Sequence, residues 1–268
     1  MFWSLDETEI VVSEKKINIA SQFLSRDVSC SLFIPEVEGP LSLLILNDGQ
    51  EAEALNLLDT LERLYNHHKI KPVVIAAVHA GTERLQEYGT AGQPDFKGRG
   101  SKADAYTSFV IKELLPLIKK EAGVTDFEIK AIAGFSLSGL SALDIAWNNS
   151  ACFDKVGIFS GSLWWRTKDL HEGYTNDDRI MHRIVRESSE KPELEFWLQT
   201  GTRDEKADRN KNGIIDSIDD TVDLIRELEH KGYTRPADIT YVEMVGGEHH
   251  ITTWAKAFPK FLCWAFGG

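Results

Sequence analysis

The chain has 268 residues, 42% of them apolar, and its 30 basic residues against 42 acidic ones give a formal net charge of −12. This length suffices for a substantial core, and the acidic balance excludes the basic surface typical of nucleic-acid-binding proteins. Three distant cysteines without CxxC spacing argue against a disulfide framework or a zinc ribbon. The start, MFWSLDETEI, lacks the basic segment of a signal peptide, and no apolar run is long enough to span a bilayer. We therefore expect a soluble cytoplasmic protein that binds neither nucleic acid nor membrane, and a homo-oligomer is compatible with this composition.

Apolar, β-rich runs recur along the chain and predict strands. They lie at 28–34, 42–46, 73–78, 127–133, 155–159, 194–199 and 239–245. Several are almost continuously apolar, which is typical of strands covered on both faces. Stretches with helical periodicity, such as 104–118 and 217–231, separate the later runs. This α/β alternation predicts a mostly parallel sheet with helices on both faces, preceded by antiparallel strands within the first 35 residues, in a single domain covering 1–268.

The segment AIAGFSLSGLSAL (131–143) places a serine between a predicted strand and a following helix. A nucleophile elbow is a sharp turn in this context, and it needs small residues two positions before and after the serine. Gly134 and Ser138 meet that need around Ser136, although serine replaces the usual glycine at 138. Ser138 itself fails the test, because Leu140 would occupy the tight flank. The pattern predicts Ser136 as a nucleophile; the alternative is a Gly/Ser-rich turn without chemistry.

A serine nucleophile needs a histidine that accepts its proton and a carboxylate that orients the histidine. In α/β-hydrolases the acid and then the histidine follow the serine along the chain. His249 follows the last predicted strand and is our preferred base, with His250 as the alternative. Asp204 follows the preceding strand and is the preferred acid, with its neighbour Glu205 as the alternative.

An oxyanion hole needs two backbone N–H groups aimed at the oxygen on which charge develops. One is expected from Leu137, directly after the nucleophile, and the other from a loop after an early strand. The segment LLILNDGQE (43–51) contains such a loop, and Gly49 and Gln50 are its candidates. An Asn-Asp-Gly sequence is also ordinary turn chemistry, which is the alternative interpretation.

Residues 208–219 read DRNKNGIIDSID and have the spacing of a calcium-binding EF-hand loop, with glycine at its sixth position. The predicted Ca²⁺ ligands are Asp208, Asn210, Asn212, the carbonyl of Ile214, Asp216 and Asp219. Aspartate replaces the usual glutamate at position twelve, which would weaken binding, and the alternative is an Asn/Asp-rich surface loop. The loop begins four residues after Asp204. We therefore expect a structural ion that orders the segment carrying the acid.

Together, these segments resemble the esterase D/enterochelin-esterase-like family of α/β-hydrolase serine esterases. The resemblance is carried by LNDGQ (46–50), RLQEYGT (84–90), GRGSKADAY (98–106), ELLPLI (113–118), IAGFSLSGLSAL (132–143), FSGSLWW (159–165), GTRDE (201–205) and GGEHHITTW (246–254). By position, Ser136 resembles the family nucleophile and His249 the family base. Asp204 matches the acid position, at which the family varies. The serine at 138 and the calcium-like loop depart from the common pattern.

The resemblance implies an α/β-hydrolase fold and the hydrolysis of small-molecule esters: simple acyl esters, siderophore trilactones or acylated sugars. It leaves the substrate open, because substrate-binding residues lie in the loops. Five aromatic residues are candidates for a substrate pocket, with ordinary core packing as the alternative: Trp164, Trp165, Tyr88, Phe135 and Trp254. Two other functions compete with hydrolysis: acyl transfer to a sugar or another alcohol, and non-catalytic calcium binding on a hydrolase scaffold.

Overall fold

A computed structural model describes residues 10–268 and shows one eight-stranded sheet flanked by helices. The strands are β1 (Val12–Ser21), β2 (Arg26–Pro35), β3 (Ser42–Asn47), β4 (Val73–Val78), β5 (Lys130–Phe135), β6 (Lys155–Phe159), β7 (Glu195–Arg203) and β8 (Ile239–Glu248). The helices are α1 (Leu57–Asn66), α2 (Arg84–Glu87), α3 (Ala103–Phe109), α4 (Leu115–Ala122), α5 (Leu137–Asn148), α6 (Ile180–Glu187), α7 (Asp216–His230) and α8 (Ile251–Phe266). Residues 1–9, which make up most of the N-terminal stretch in which we expect no signal peptide, lie outside the described residues.

The sheet order is β1-β2-β4-β3-β5-β6-β7-β8. β2 is antiparallel to both of its neighbours and all the other pairs are parallel, which confirms the predicted antiparallel start. In the parallel part, Phe135 at the end of β5 pairs with Phe159 at the end of β6, and Phe159 pairs with Gln199 of β7. The loops that follow these strands therefore leave the sheet at one edge, where sites form in parallel sheets.

The central strands are buried on both faces because their side chains alternate between two cores. Leu43 and Ile45 pack in the core formed with α3 to α7, whereas Leu44 and Leu46 pack in the core formed with α1 and α8. This explains why the strand sequences read as continuous apolar runs rather than as an alternating pattern. Within residues 10–268, no helix combines the length and apolar character needed to cross a membrane.

Two predicted elements differ in detail from the structure. The strand predicted at 127–133 is β5 at Lys130–Phe135, although the Glu128 N–H and the Ile129 carbonyl, just before it, already hydrogen-bond to Leu41 and Leu43. The helix predicted at 104–118 is divided into α3 and α4 by a π-helical turn at Val110–Leu114. Pro116 follows that turn and has no N–H with which to continue a regular hydrogen-bond ladder.

Candidate active site

Ser136 occupies the one-residue turn between β5 and α5. Its backbone has φ 55° and ψ −120°, a conformation that costs a non-glycine residue roughly 1–3 kcal/mol. Two hydrogen bonds fix the turn, from the Ser136 N–H to the Phe159 carbonyl at 2.8 Å and from the Ser162 N–H to the Ser136 carbonyl at 3.0 Å. The Ser136 side chain is half-buried, and its Oγ lies 3.4 Å from Ser162 Oγ. The turn thus presents the hydroxyl away from the strand, as expected of a nucleophile elbow.

The residues on either side of Ser136 show why the turn needs small side chains. A Cβ on Gly134 would lie 2.5 Å from the carbonyl carbon of Ser138. Ser138 is tolerated because its side chain folds back onto Phe135: its Oγ accepts a hydrogen bond from the Phe135 N–H and donates one to the Phe135 carbonyl, both at 2.8 Å. Serine in place of glycine at 138 therefore adds two hydrogen bonds inside the turn without widening it.

His249 lies between the end of β8 and the start of α8. Its ring meets the Trp254 ring edge-on, with centroids 5.3 Å apart and planes at 81°. Burial lowers the pKa of His249, the Asp204 carboxylate opposes that shift, and the Arg84 charge lowers the pKa further. His250 instead caps α8, because its Nδ1 accepts a hydrogen bond from the Thr252 N–H at 3.3 Å. The two neighbouring histidines therefore have different environments.

The structure also separates the two candidate acids. Asp204 is 8% exposed, and its pKa is raised by burial and lowered by the Gly201 amide, the Ser160 hydroxyl and the charge of His249. Glu205 points elsewhere: its pKa is raised by burial and by the neighbouring Asp216 carboxylate. It is the Asp204 carboxylate, and not that of Glu205, that raises the pKa of His249.

Ser136 and His249 line the same cavity of about 320 Å³. Its other lining residues are Asp48, Gln50, Glu51, Arg84, Phe135, His250, Ile251 and Trp254. Arg84 donates to both carboxylate oxygens of Asp48, at 2.8 and 2.6 Å, so the two opposite charges on this wall of the cavity are paired with each other. Sequence reasoning missed this pair because the two residues are 36 positions apart.

The predicted oxyanion-hole residues lie on two short backbone segments. Leu137 is the first residue of α5 and Gly49 the first of a single 3₁₀ turn, Gly49–Glu51, so neither N–H has a partner within its own helix. Gly49 is packed tightly, since a Cβ there would lie 2.5 Å from the Val78 nitrogen. Gln50 lines the cavity, and its side chain accepts a hydrogen bond from the Ala80 N–H at 3.0 Å.

Three of the five aromatic residues predicted for a substrate pocket, Trp164, Trp165 and Tyr88, do not line this cavity. Trp165 and Tyr88 are 0% and 1% exposed, so they are core residues without a surface for a ligand. Trp164 is half-buried, and the Arg99 guanidinium lies 5.0 Å from its ring centroid. The other two candidates, Phe135 and Trp254, form the aromatic walls of the cavity, and their rings stack at 5.1 Å.

The segment 208–219 forms a compact loop that precedes α7 and includes the first turn of that helix. Asp208 accepts hydrogen bonds from the Asn212 and Gly213 N–H groups at 3.1 and 2.9 Å. The side-chain amides of Asn210 and Asn212 both donate to Asp219 Oδ2 at 2.8 Å. Four of the six predicted ligand residues, Asp208, Asn210, Asn212 and Asp219, thus converge.

The other two predicted calcium ligands are placed differently. Asp216 accepts a 2.9 Å hydrogen bond from the Arg209 N–H and lies 3.5 Å from the Arg209 guanidinium, so it faces away from the converging group. Ile214 is 43% exposed, and its N–H donates to Asn212 Oδ1. Across residues 10–268, no cluster of three or more His, Cys, Asp or Glu side chains is suited to a metal ion. The converging group in the loop contains only two carboxylates, because asparagines stand at the other two positions.

The enterobactin esterase FES from Shigella flexneri, crystallised with 2,3-dihydroxy-N-benzoyl-glycine, superposes with a TM-score of 0.72 at 22% identity over 94% of this chain and 59% of its own. The chain thus spans about three fifths of that enzyme's length. A ferulic acid esterase gives a TM-score of 0.71 at 18% identity over 96% and 98% of the two chains. The siderophore hydrolase EstB from Aspergillus nidulans gives 0.69 at 16% identity over 100% and 98%.

At these identities, the structural likeness shows the fold, which is that of the α/β-hydrolases, as predicted. A search of curated protein sequences finds no significant match. A sequence model of the family described as putative esterase, however, matches residues 21–265, nearly the whole chain. The chain therefore belongs to the putative esterase family.

Proposed function

We propose that this protein is a serine esterase that cleaves carboxylic esters of small molecules through an acyl-enzyme on Ser136. One observation carries the proposal: Ser136, on its strained turn, and His249 line one cavity, and the buried Asp204 carboxylate acts on His249. Family membership and the esterases among the structural neighbours support the same reaction class.

The proposed reaction has two halves. His249 accepts the Ser136 hydroxyl proton as Oγ attacks the ester carbonyl carbon, and the N–H groups of Leu137 and of the Gly49–Gln50 turn stabilise the oxyanion. The tetrahedral intermediate collapses as His249 passes its proton to the departing alcohol. Water then attacks the acyl-enzyme by the same proton route and releases the acid and Ser136.

The electrostatics of the base suit this role. Burial and the charge of Arg84 lower the pKa of His249 against the opposing charge of Asp204, which favours the neutral ring that can accept a proton. The Asp204 charge stabilises the imidazolium that forms once the proton has transferred.

The substrate class is proposed from the neighbours and the cavity. The structural neighbours include an enterobactin esterase and a ferulic acid esterase, so esters that carry an aromatic ring on the acyl side are the first candidates. Phe135 and Trp254 form an aromatic wall that a flat acyl group would contact. An alcohol in place of water in the second half-reaction would make the same site an acyltransferase, and product analysis with competing alcohols distinguishes the two.

A serine-directed fluorophosphonate tests the proposal. We expect stoichiometric labelling that maps to Ser136 by mass spectrometry, together with hydrolysis of at least one ester in a panel of short acyl, aromatic acyl and catecholate lactone substrates. The Ser136→Ala protein should neither label nor hydrolyse. Ser101→Ala, at an exposed serine outside the cavity, is the matched control and should behave as wild type. A native protein that neither labels nor hydrolyses any ester would refute the proposal.

We also propose that the loop at 208–219 holds one structural Ca²⁺. The convergence of Asp208, Asn210, Asn212 and Asp219 supports this, because all four offer the oxygen ligands that a hard cation prefers. The Ile214 carbonyl and water would complete the shell. The ion would supply no step of the reaction: it would fix the segment that follows Asp204 in the chain.

A further inference from the structure

Asp204 poses a local electrostatic problem. Both of its carboxylate oxygens are buried, and neither accepts a hydrogen bond of ordinary geometry from the described residues. A buried carboxylate without donors costs several kcal/mol and tends to take up a proton. The proposed mechanism needs Asp204 ionised, so a donor beside it has direct catalytic value.

Ser160 is the residue placed to be that donor. It directly follows β6, is 2% exposed, and its hydroxyl lowers the pKa of Asp204. Its Oγ accepts a 2.9 Å hydrogen bond from Trp254 Nε1. That bond uses a lone pair and leaves the hydroxyl proton available for another acceptor. The Asp204 carboxylate, whose pKa the Gly201 amide and the Ser160 hydroxyl both lower, is the buried acceptor open to that proton.

Trp254 connects this pair to the rest of the site. It is 9% exposed, and its ring stacks on Phe135, the residue before Ser136, at 5.1 Å and 20°. The same ring meets His249 edge-on at 5.3 Å. The Trp254 side chain thus contacts both Phe135, next to Ser136, and His249, and it donates a hydrogen bond to Ser160.

We propose that Trp254 and Ser160 are positioning residues: the Trp254 N–H orients the Ser160 hydroxyl so that its proton is donated to Asp204, which stays ionised and holds His249 in place. This inference rests on the proposed function. It extends the set of Ser136, His249 and Asp204 by two residues that touch no substrate carbonyl.

Three further titratable groups act on this pair or are acted on by it. Arg84 of α2 lowers the pKa of His249. The charge of Asp204 raises the pKa of Tyr241 of β8 and of Glu205, so both are sensitive to its ionisation. None of these three residues is substituted in the Ser160 and Trp254 variants, so a change in kinetics is traced to the two positioning residues and their effect on Asp204.

The backbone of Ser160 provides a favourable test variant. Its φ is 44°, a value that glycine adopts without strain, so Ser160→Gly removes the hydroxyl while relaxing the backbone. We expect a folded protein in which kcat falls about ten- to a hundred-fold and KM changes by less than about two-fold, as for loss of a hydrogen bond to a charged group. Ser25→Gly is the matched control: it has φ 53°, is exposed in the β1–β2 turn, and should keep wild-type kinetics.

The pH profile separates positioning from a merely structural role. The active form has Asp204 ionised and His249 neutral. Without the hydroxyl, protonation of the pair becomes easier, so the acid limb of kcat/KM should move to higher pH in Ser160→Gly. Trp254→Phe keeps a stacked ring but removes the N–H, and should shift the limb in the same direction by less. Trp264→Phe, further along α8, is its control.

A double-mutant cycle completes the experiment. In an Asp204→Asn background, Ser160→Gly should have little further effect on kcat, because its acceptor is already neutral. If wild type hydrolyses esters but Ser160→Gly and Trp254→Phe keep its kcat and acid limb, or if both are fully additive with Asp204→Asn, the positioning role is wrong. If wild type hydrolyses no ester, the proposed function itself fails. If the Ser160→Gly protein does not fold, the Trp254→Phe variant and its control, Trp264→Phe, test the positioning role instead.

Discussion

The nucleophile turn (residues 134–139) and the calcium-type loop (residues 208–219) are the two motifs with the clearest sequence spacing, and they are built in opposite ways. In the turn, the positive φ of Ser136 is enforced by buried neighbours in close contact. In the loop, Lys211 and Gly213 also have positive φ, at 58° and 86°, but an added Cβ on Gly213 would meet no atom within 4 Å.

This difference shows two sources of local order. The turn gains its shape from the sheet and α5, so its geometry is complete without a ligand. The loop is held by hydrogen bonds between its own Asn and Asp side chains and backbone, mostly at exposed positions. Such a loop is a low-stability segment by its nature, and a bound cation would add what packing does not supply.

Removal of the proposed nucleophile should have the largest effect on activity. Ser136→Ala should lower kcat/KM by a factor of at least about 10³, since the hydroxyl has no substitute in the mechanism. The Tm should change little, because alanine must adopt the same strained φ. The measurement is ester hydrolysis alongside thermal unfolding. Residual activity near the wild-type level would show that another group performs the attack.

A matched pair of glycine substitutions tests the packing argument. Gly134→Ala should destabilise the protein by about 2–3 kcal/mol, because the new Cβ would overlap Ser138. Gly213→Ala should cost only about 1 kcal/mol, since its penalty is the left-handed backbone alone. Urea unfolding of both variants gives the comparison. Equal losses would contradict the view that contact in the core fixes one segment and not the other.

Calcium should act on the loop and hardly on the turn. At about a hundred times Kd, the ion should stabilise the fold by about 2.7 kcal/mol and raise the Tm by several degrees. Chelation should reverse this and lower activity secondarily, through the segment after Asp204. Differential scanning calorimetry with and without Ca²⁺ checks it, with Asp208→Ala as the non-binding variant. An identical Tm under both conditions would leave the loop as an ordinary Asn/Asp turn.

The smallest effect is expected in the pH profile. His249 must be neutral to accept a proton, so activity is present above its pKa and lost as pH falls through it. Since that pKa is lowered from its ordinary value, mainly by burial, the midpoint of the acid limb should lie below about 6.5. Asp204→Asn removes the charge that raises the His249 pKa, so the acid limb of this variant should lie at a still lower pH than that of wild type. A wild-type midpoint above 6.5 would contradict the buried environment of the base.

The alternation of strands and helices followed from the sequence alone, because burial on both faces of the sheet leaves continuous apolar runs. The sharp turn at Ser136 did too, since small residues around Ser136 are a local steric need. The middle of the helix predicted at 104–118 is instead a π-helical turn at Val110–Leu114, whose position depends on Pro116 and on packing in the core.

Only the packing of the elements distinguishes residues that are neighbours in the chain. Asp204 and His249 each affect the pKa of the other, whereas the pKa of Glu205 responds to Asp216 and His250 caps α8. These differences depend on the direction in which each loop leaves its strand. The sequence also left undecided which aromatic residues line the cavity. Tyr88 and Trp165 pack inward, whereas Phe135 and Trp254 line it. Residue type reports that a side chain is apolar, but which surface it covers is set by the elements packed against it.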